Sequence, residues 1–446
     1  MVNDVRALLH DAAATPPGDD IDLAAVLDGG RRQVRRRRAR FAGGLAVAVA
    51  GAVAAGALVG QGTDGRDAPE ASLVPRPDGP VVRLSDARPA KEGTDYEVLA
   101  SYTNEDLDAA NGQYYDGVTE DGRLLFRDGP HGPDNAVRYA LLDPATGAKD
   151  WLPDFPEHQQ VFPLELGADR IVLLTFRTGS GNGVRAWTYD RTSRAWSSVQ
   201  WPGLPRKADV FQADLGPDGR LYLGVPATAG SPPPGGWPTG PDGEAEDAGA
   251  EGETYDVWSV SLTDPADVRD EHLRAGDLAF TDDAMIWTAA TNGINRRIHV
   301  RDLATGAEHD FDPHSGKRCN LLGFGASGDR IVLSQYCGTY DDGRDDRVQV
   351  LDLDGRTITT LQDDDIGGGV NGDLVQVTSY KRDAAGTYVY ELDSGRFLRV
   401  SEAVSSYSLG GPTPAGYVLW DTPVGTASGP QEPIPGATQW LARWLP

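Results

Sequence analysis

The chain has 446 residues, a net charge of -26 and only two cysteines. That length exceeds one small core, and the acidic balance repels phosphate backbones and argues against nucleic acid as a partner. Two cysteines are too few for a disulfide-dependent scaffold or a four-ligand zinc site.

The charge is unevenly spread. Residues 1–40 carry eight Arg against six Asp, a net +2, so the remainder carries -28. Within this head, Val5, Leu8, Leu9 and Ala12 recur at helical spacing, and Ile21, Leu23, Val26 and Leu27 form a second apolar patch beyond Pro16–Pro17. Two short helices that dock on a cytoplasmic partner, or a disordered tail, both fit the pattern, because isolated helices of this length are marginal in water.

The head ends in Arg31–Arg40 (RRQVRRRRAR) and abuts residues 41–60, FAGGLAVAVAGAVAAGALVG, an uncharged stretch. Twenty residues at helical rise reach about 30 Å, enough to cross a bilayer. Read alone, the arginines resemble a nucleic-acid patch; against an apolar segment they read as a cytoplasmic fence that orients a transmembrane helix. A cleaved secretory signal is the alternative, but the polar head is long for one and no sharp cleavage site stands out. The expected placement is a single-pass plasma-membrane protein, head inside and body outside. Residues 61–80 are polar and Pro/Gly-rich, a juxtamembrane linker.

From residue 81 the pattern becomes short and β-like. A turn followed by an apolar strand recurs seven times, with Leu124, Ile171, Leu221, Met285, Ile331, Leu374 and Val418 at equivalent places, mostly 43 to 50 residues apart. A second half-unit, strand–Asp–turn–strand, recurs at 138–152, 185–199, 298–311, 348–361 and 388–400, as antiparallel hairpins require. Repeats near this length with about four short strands fit the blades of an all-β propeller.

The repeats predict a seven-bladed β-propeller over 81–446, preceded by one transmembrane helix; six or eight blades, or a sandwich, are the alternatives. The body resembles the WD40-like or YVTN-like extracellular β-propellers found behind actinobacterial membrane anchors. Closure needs an extra strand, and either VVRL (Val81–Leu84) or YEVLASY (Tyr96–Tyr102) can add it to the seventh blade. The one long interval, Leu221 to Met285, holds the insertion 227–252, first Pro/Gly-rich and then acidic. It reads as a surface loop, with Trp237 as a possible partner contact or an incidental exposed aromatic.

Chemistry is thinly signalled. Cys319 and Cys337 flank what reads as a hairpin around Gly325–Asp329, so they pair as a staple or stay as two buried thiols. His309 and His314 lie near Asp310, Asp312 and Cys319 and raise a transition-metal reading, against plain loop solvation. The acidic runs 341–346 and 363–365 offer oxygen ligands for calcium, although neither has the spacing of a twelve-residue calcium loop. No G-x-S-x-G elbow, P-loop or dinucleotide fingerprint occurs, and no catalytic residue or cofactor follows from the residues. The expected role is a binding or scaffolding module for a protein or cell-envelope ligand. A propeller enzyme acting on carbohydrate or another small molecule is the alternative.

Overall fold

The computed structural model describes residues 79–446 except 106–111, 132–135, 156–160, 177–182, 206–207, 232–249, 317–318, 340–342, 382, 405–410 and 426–435. The head, the apolar stretch 41–60, almost all of the linker and Trp237 lie outside the described residues. Among the described residues no helix is long and apolar enough to cross a membrane.

Seven antiparallel sheets form the blades of a propeller. Blade 1 comprises Gln113–Val118, Leu124–His131, Ala136–Leu142 and Lys149–Trp151. Blade 2 comprises Val161–Leu166, Arg170–Phe176, Val184–Asp190 and Ala195–Val199. Blade 3 is built from Asp209–Leu215, Arg220–Thr228, Thr254–Ser261 and Val268–Ala275, and blade 4 from Leu278–Phe280, Ala284–Thr288, Ile298–Asp302 and Glu308–Phe311. Blade 5 has Cys319–Ser327, Arg330–Thr339, Asp346–Asp352 and Thr357–Asp363; blade 6 has Ile366–Asn371, Leu374–Ser379, Gly386–Glu391 and Phe397–Arg399. Among the described residues blade 7 has three strands, Tyr417–Val424, Gly436–Trp444 and, from the other end of the chain, Tyr96–Asn104.

The hydrophobic core is divided. Seven apolar clusters each join two neighbouring blades, closing the cycle from blade 1 back to blade 7. Every blade is therefore covered on both faces, and its second strand must be apolar on both. Ile171, Val172, Leu173 and Leu174 are all at most 1% exposed, whereas the outer strand Ala195–Val199 buries only Val199. This explains why the anchor positions were visible in sequence: six stand in their blade's second strand, and Val418 stands in Tyr417–Val424, the first described strand of blade 7. The five half-units correspond to third and fourth strands.

Both candidate closing segments are used, in different places. Tyr96–Asn104 pairs antiparallel with Gly436–Trp444 and closes blade 7. VVRL does not close the ring; Val81–Val82 instead adds a parallel strand to the outer edge of blade 5 at Thr360 and Leu361. Arg88–Pro89 likewise adds to blade 6. The N-terminal belt thus crosses two blades before entering the third, with Leu84 buried in the cluster shared by blades 5 and 6.

Side chains complete the joint. Gln439 of blade 7 accepts from the Tyr115 amide and donates to the Gln113 carbonyl of blade 1, while Asn104 donates to that same carbonyl and accepts from the Gln113 amide. On the opposite side, Asp95 is 1% exposed and takes both arms of Arg88, the Lys91 amide at 2.9 Å and the charge of Arg396 at 3.8 Å, while its carbonyl accepts from Leu445. The Arg88 hydrogen bonds hold its carboxyl at about 2, against the opposing effect of burial. A lowered carboxyl stabilises the fold above the unfolded value near 4 and loses that contribution as pH falls toward 2. Replacing Asp95 with Asn should cost about 2 kcal/mol at neutral pH and remove this part of the acid sensitivity between pH 4 and 2, measured by urea denaturation across pH.

Candidate binding face

Strand alternation gives the ring two unlike faces. On one face lie the turns joining first to second and third to fourth strands. They are short, and several share one chemistry: Asp143, Asp190, Asp302 and Asp352 accept backbone N–H bonds from the residues that follow, as Asx turns do. A left-handed residue closes each turn, Gly147 at φ 70°, Gly306 at 72° and Gly355 at 87°, with Arg194 at 56° in the blade 2 turn. Glycine suits this backbone because it has no Cβ, which accounts for the Asp…Gly pattern in the sequence. Ion pairs tie blades 1 and 2 here: Arg191 grips Asp121 at 2.7 and 2.8 Å, and Arg194 grips Asp150 of the outer strand at 2.9 Å.

On the opposite face the connectors are uneven: 276–277 and 364–365 between blades are short, 340–345 and 380–385 are intermediate, and the longest, 229–253, 289–297 and 425–435, join second to third strands. Across blades 3, 4 and 5 the bases of these connectors are sewn together by backbone bridges, Ser231 with Glu251, Glu251 with Ile294, Glu253 with Thr291 and Ile294 with Asn320. Ser231 and Glu251 exchange both hydrogen bonds at 3.0 Å, so the insertion leaves and re-enters the fold at one point. Asn292 and Tyr255 both donate to the Glu253 carboxylate at 3.1 Å. The result is a fixed platform from which the insertion departs.

Blade 5 supplies a second fixed element. Gln349 donates to the Pro313 carbonyl at 2.8 Å, Arg347 to the Ser315 carbonyl at 2.6 Å and Gln335 to the Ser315 hydroxyl at 2.6 Å. All three side chains are at most 2% exposed. They hold the connector from blade 4 in place, with His314 exposed at a left-handed φ of 52°. The sequence did not reveal this grip. Arg347 and Gln349 alternate with Val348 and Val350, so the strand reads as half solvent-facing.

The positions flagged in sequence resolve as follows. Cys319 and Cys337 are directly opposite across the first hairpin of blade 5 and form a disulfide, both ends buried. The strand runs to Ser327, so the turn is at Gly328–Asp329 rather than Gly325–Asp329. His309 donates Nε2–H to the Leu353 carbonyl at 2.9 Å, His314 rests beside Asp312, and Cys319 is oxidised, which removes the thiolate from the metal reading. In the acidic runs, Asp345 pairs with Arg347 and Arg83, Asp346 caps the Cys337 amide, and Asp363 pairs with Lys381 at 2.8 Å. Among the described residues no group of three or more His, Cys, Asp or Glu side chains is arranged to hold a metal ion. Large exposed hydrophobics among them are Trp151 and Leu303.

Asp214 was not singled out by sequence. It sits on the innermost strand of blade 3, opposite Tyr222, which packs on Phe280 of blade 4 at 4.7 Å between ring centroids. Its carboxylate accepts the Leu215 amide at 2.8 Å. Removal from water raises its carboxyl to about 7, and that amide offsets the shift only in part. One aspartate among many gives no signal in sequence.

No protein-family model matches the chain, and no curated protein matches it in sequence. Among solved structures, TolB from Acinetobacter baumannii is 14% identical, with 60% of each chain covered at a TM-score of 0.36. The β-propeller domain of the Trilobed protease from Pyrococcus furiosus is 9% identical over 64% of this chain and 82% of that one, at 0.41. One of two prolyl endopeptidases is 16% identical over 75% of this chain and 46% of its own, at 0.40. This chain therefore spans less than two thirds of TolB and of the endopeptidase. None of these likenesses assigns an activity or places the ring in the WD40-like or YVTN-like group.

Two outcomes follow from the site. The disulfide closes 18 residues of chain, so replacing both cysteines with Ser should cost about 3 kcal/mol; urea midpoints measure this, and peptide masses without reductant check the bridge. For Asp214, a raised carboxyl stabilises the fold at acidic pH and loses that contribution as pH rises from about 4 through 7. Asp214→Asn should flatten this slope, gaining on the order of 2 kcal/mol at pH 8 once its partial contact with water is allowed for. A parallel wild-type and variant pH series of urea denaturation reads both slopes.

Proposed function

We propose that the chain is a membrane-tethered propeller that presents its long-connector face to a protein or cell-envelope ligand outside the cell, as a binding or scaffolding module. The observation that carries this reading is the difference between the faces. One is a set of short capped turns knitted by ion pairs. The other bears the longest connectors, and there backbone bridges and buried side chains fix the base of the insertion and the connector between blades 4 and 5. Binding surfaces are commonly built from loops carried on a rigid scaffold.

The tether fits this orientation. Gly79 lies against Thr357, at the short-turn end of the outer strand of blade 5. A span at 41–60 with a linker through 80 would then approach from the short-turn side and leave the long connectors facing away from the lipid. The Arg31–Arg40 fence supports a cytoplasmic head, where 5–27 would meet a cytoplasmic protein, and the disulfide suits an oxidising exterior. Trp237, within the insertion, is a contact residue in this reading.

A second reading has one observation in its favour. Asp214, with a carboxyl near 7 on an innermost strand, has the acidity of a general acid. A propeller enzyme acting on carbohydrate or another small molecule in the central channel would use it.

A photo-crosslinking amino acid placed at Asn292, on the long-connector face, and separately at Thr305, on the short-turn face, tests the binding reading in intact cells. An adduct with a protein or envelope polymer from position 292 and none from 305 is expected; adducts from 305 alone, or from neither, contradict it. Protease added outside the same cells should remove the body and spare the head, and the reverse result would overturn the orientation.

A further inference from the structure

The N-terminal belt is more than an edge strand. After Val81–Val82 has climbed the outer strand of blade 5, Arg83 reaches inward at the long-connector end of that strand. Its Nη1 donates to Asp345 Oδ1 at 3.4 Å and to the Gln362 carbonyl at 3.2 Å. Asp345 is 6% exposed and is shared by Arg83, by the fully buried Arg347 at 3.4 Å and by the Gln362 amide. Arg347 in turn holds the Ser315 carbonyl. An unbroken chain of charge-assisted contacts thus runs from the belt through Asp345 and Arg347 to the connector Asp312–Gly316. Its exposed end carries His314 in the left-handed region, a conformation that persists where surrounding structure enforces it.

We propose that the belt is a latch whose seating sets the shape of this connector. With Arg83 docked, Asp345 is fixed and Arg347 is aimed at Ser315. With the belt lifted, Asp345 loses one of its two cationic partners and the long-connector face loses a defined element. Leu84 is the seat of the latch, since it is 4% exposed and packs among residues of blades 5 and 6. The segment that would be pulled by a tether is therefore wired to the face that would bind a ligand. The proposal rests on that face being the binding face, and its test needs no ligand, so the two can fail separately.

Hydrogen exchange by mass spectrometry on the full chain tests the latch. Arg83→Ala, which removes the contact, and Leu84→Ala, which unseats the belt, should each raise exchange in residues 312–316 by about tenfold or more, because a local opening raises exchange only in the segment it frees. Arg83→Lys, which keeps a cation near Asp345, should keep exchange close to wild type. Strand Arg170–Phe176 of blade 2 should not change in any variant. Faster exchange in the belt with none in 312–316 would overturn the latch. A uniform rise across all blades would also overturn it, as that marks a general stabiliser.

Discussion

Everything in this molecule depends on the pairing of Tyr96–Asn104 with Gly436–Trp444. A propeller has no central core; its apolar surface is buried between neighbours, so each blade is covered on both faces only if the ring is shut. Without the N-terminal strand, blade 7 would expose the edge of Gly436–Trp444 and loosen the clusters it shares with blades 6 and 1. The sequence places unusual polar chemistry at this joint for that reason. Gln439 and Asn104 bond backbone groups of blade 1, and the buried Asp95 gathers Arg88, Arg396 and the Leu445 amide around it.

Closure also decides how the rest is distributed. Because both faces of each sheet are covered, the second strands are runs of apolar residues, and the outer strands are left to carry charge. Because strands alternate, the tight capped turns collect on one side and the long connectors on the other. The N-terminal belt is bound to the ring's outer strands, at Val81–Val82 on blade 5 and Arg88–Pro89 on blade 6.

Much of this was legible in the sequence where a physical requirement leaves a local trace. A strand buried on both faces leaves a run such as IVLLTF, and a turn that needs positive φ leaves Asp…Gly; together these disclosed seven repeats. The cysteine pair was legible because a short hairpin between them puts the two positions opposite one another. The destination of VVRL was not, because a two-residue parallel pairing has no pattern of its own. Arg347, Gln349 and Gln335 were missed because polar residues at alternate positions signal solvent, and only the packing of blade 5 against a connector reverses that. Asp214 stands opposite Tyr222 of the next strand and owes its raised carboxyl to burial, so its environment is a tertiary property. The metal reading at His309, His314 and Cys319 rested on proximity in sequence, and the disulfide removed its thiolate.

The most direct test of the account is a cross-link across the closing joint. Thr103 and Thr438 are directly opposed, with their hydroxyls 2.8 Å apart, although 335 positions separate them in the chain. With Cys at both positions in a background where Cys319 and Cys337 are Ser, oxidation should join the two ends of the ring in nearly every molecule, read as a faster band on a non-reducing gel. Cysteines at Ser101 and Thr438, offset along the strand, should remain unlinked. Failure of the first pair to cross-link, or equal linking by the offset pair, would contradict closure by the N-terminal strand in this register.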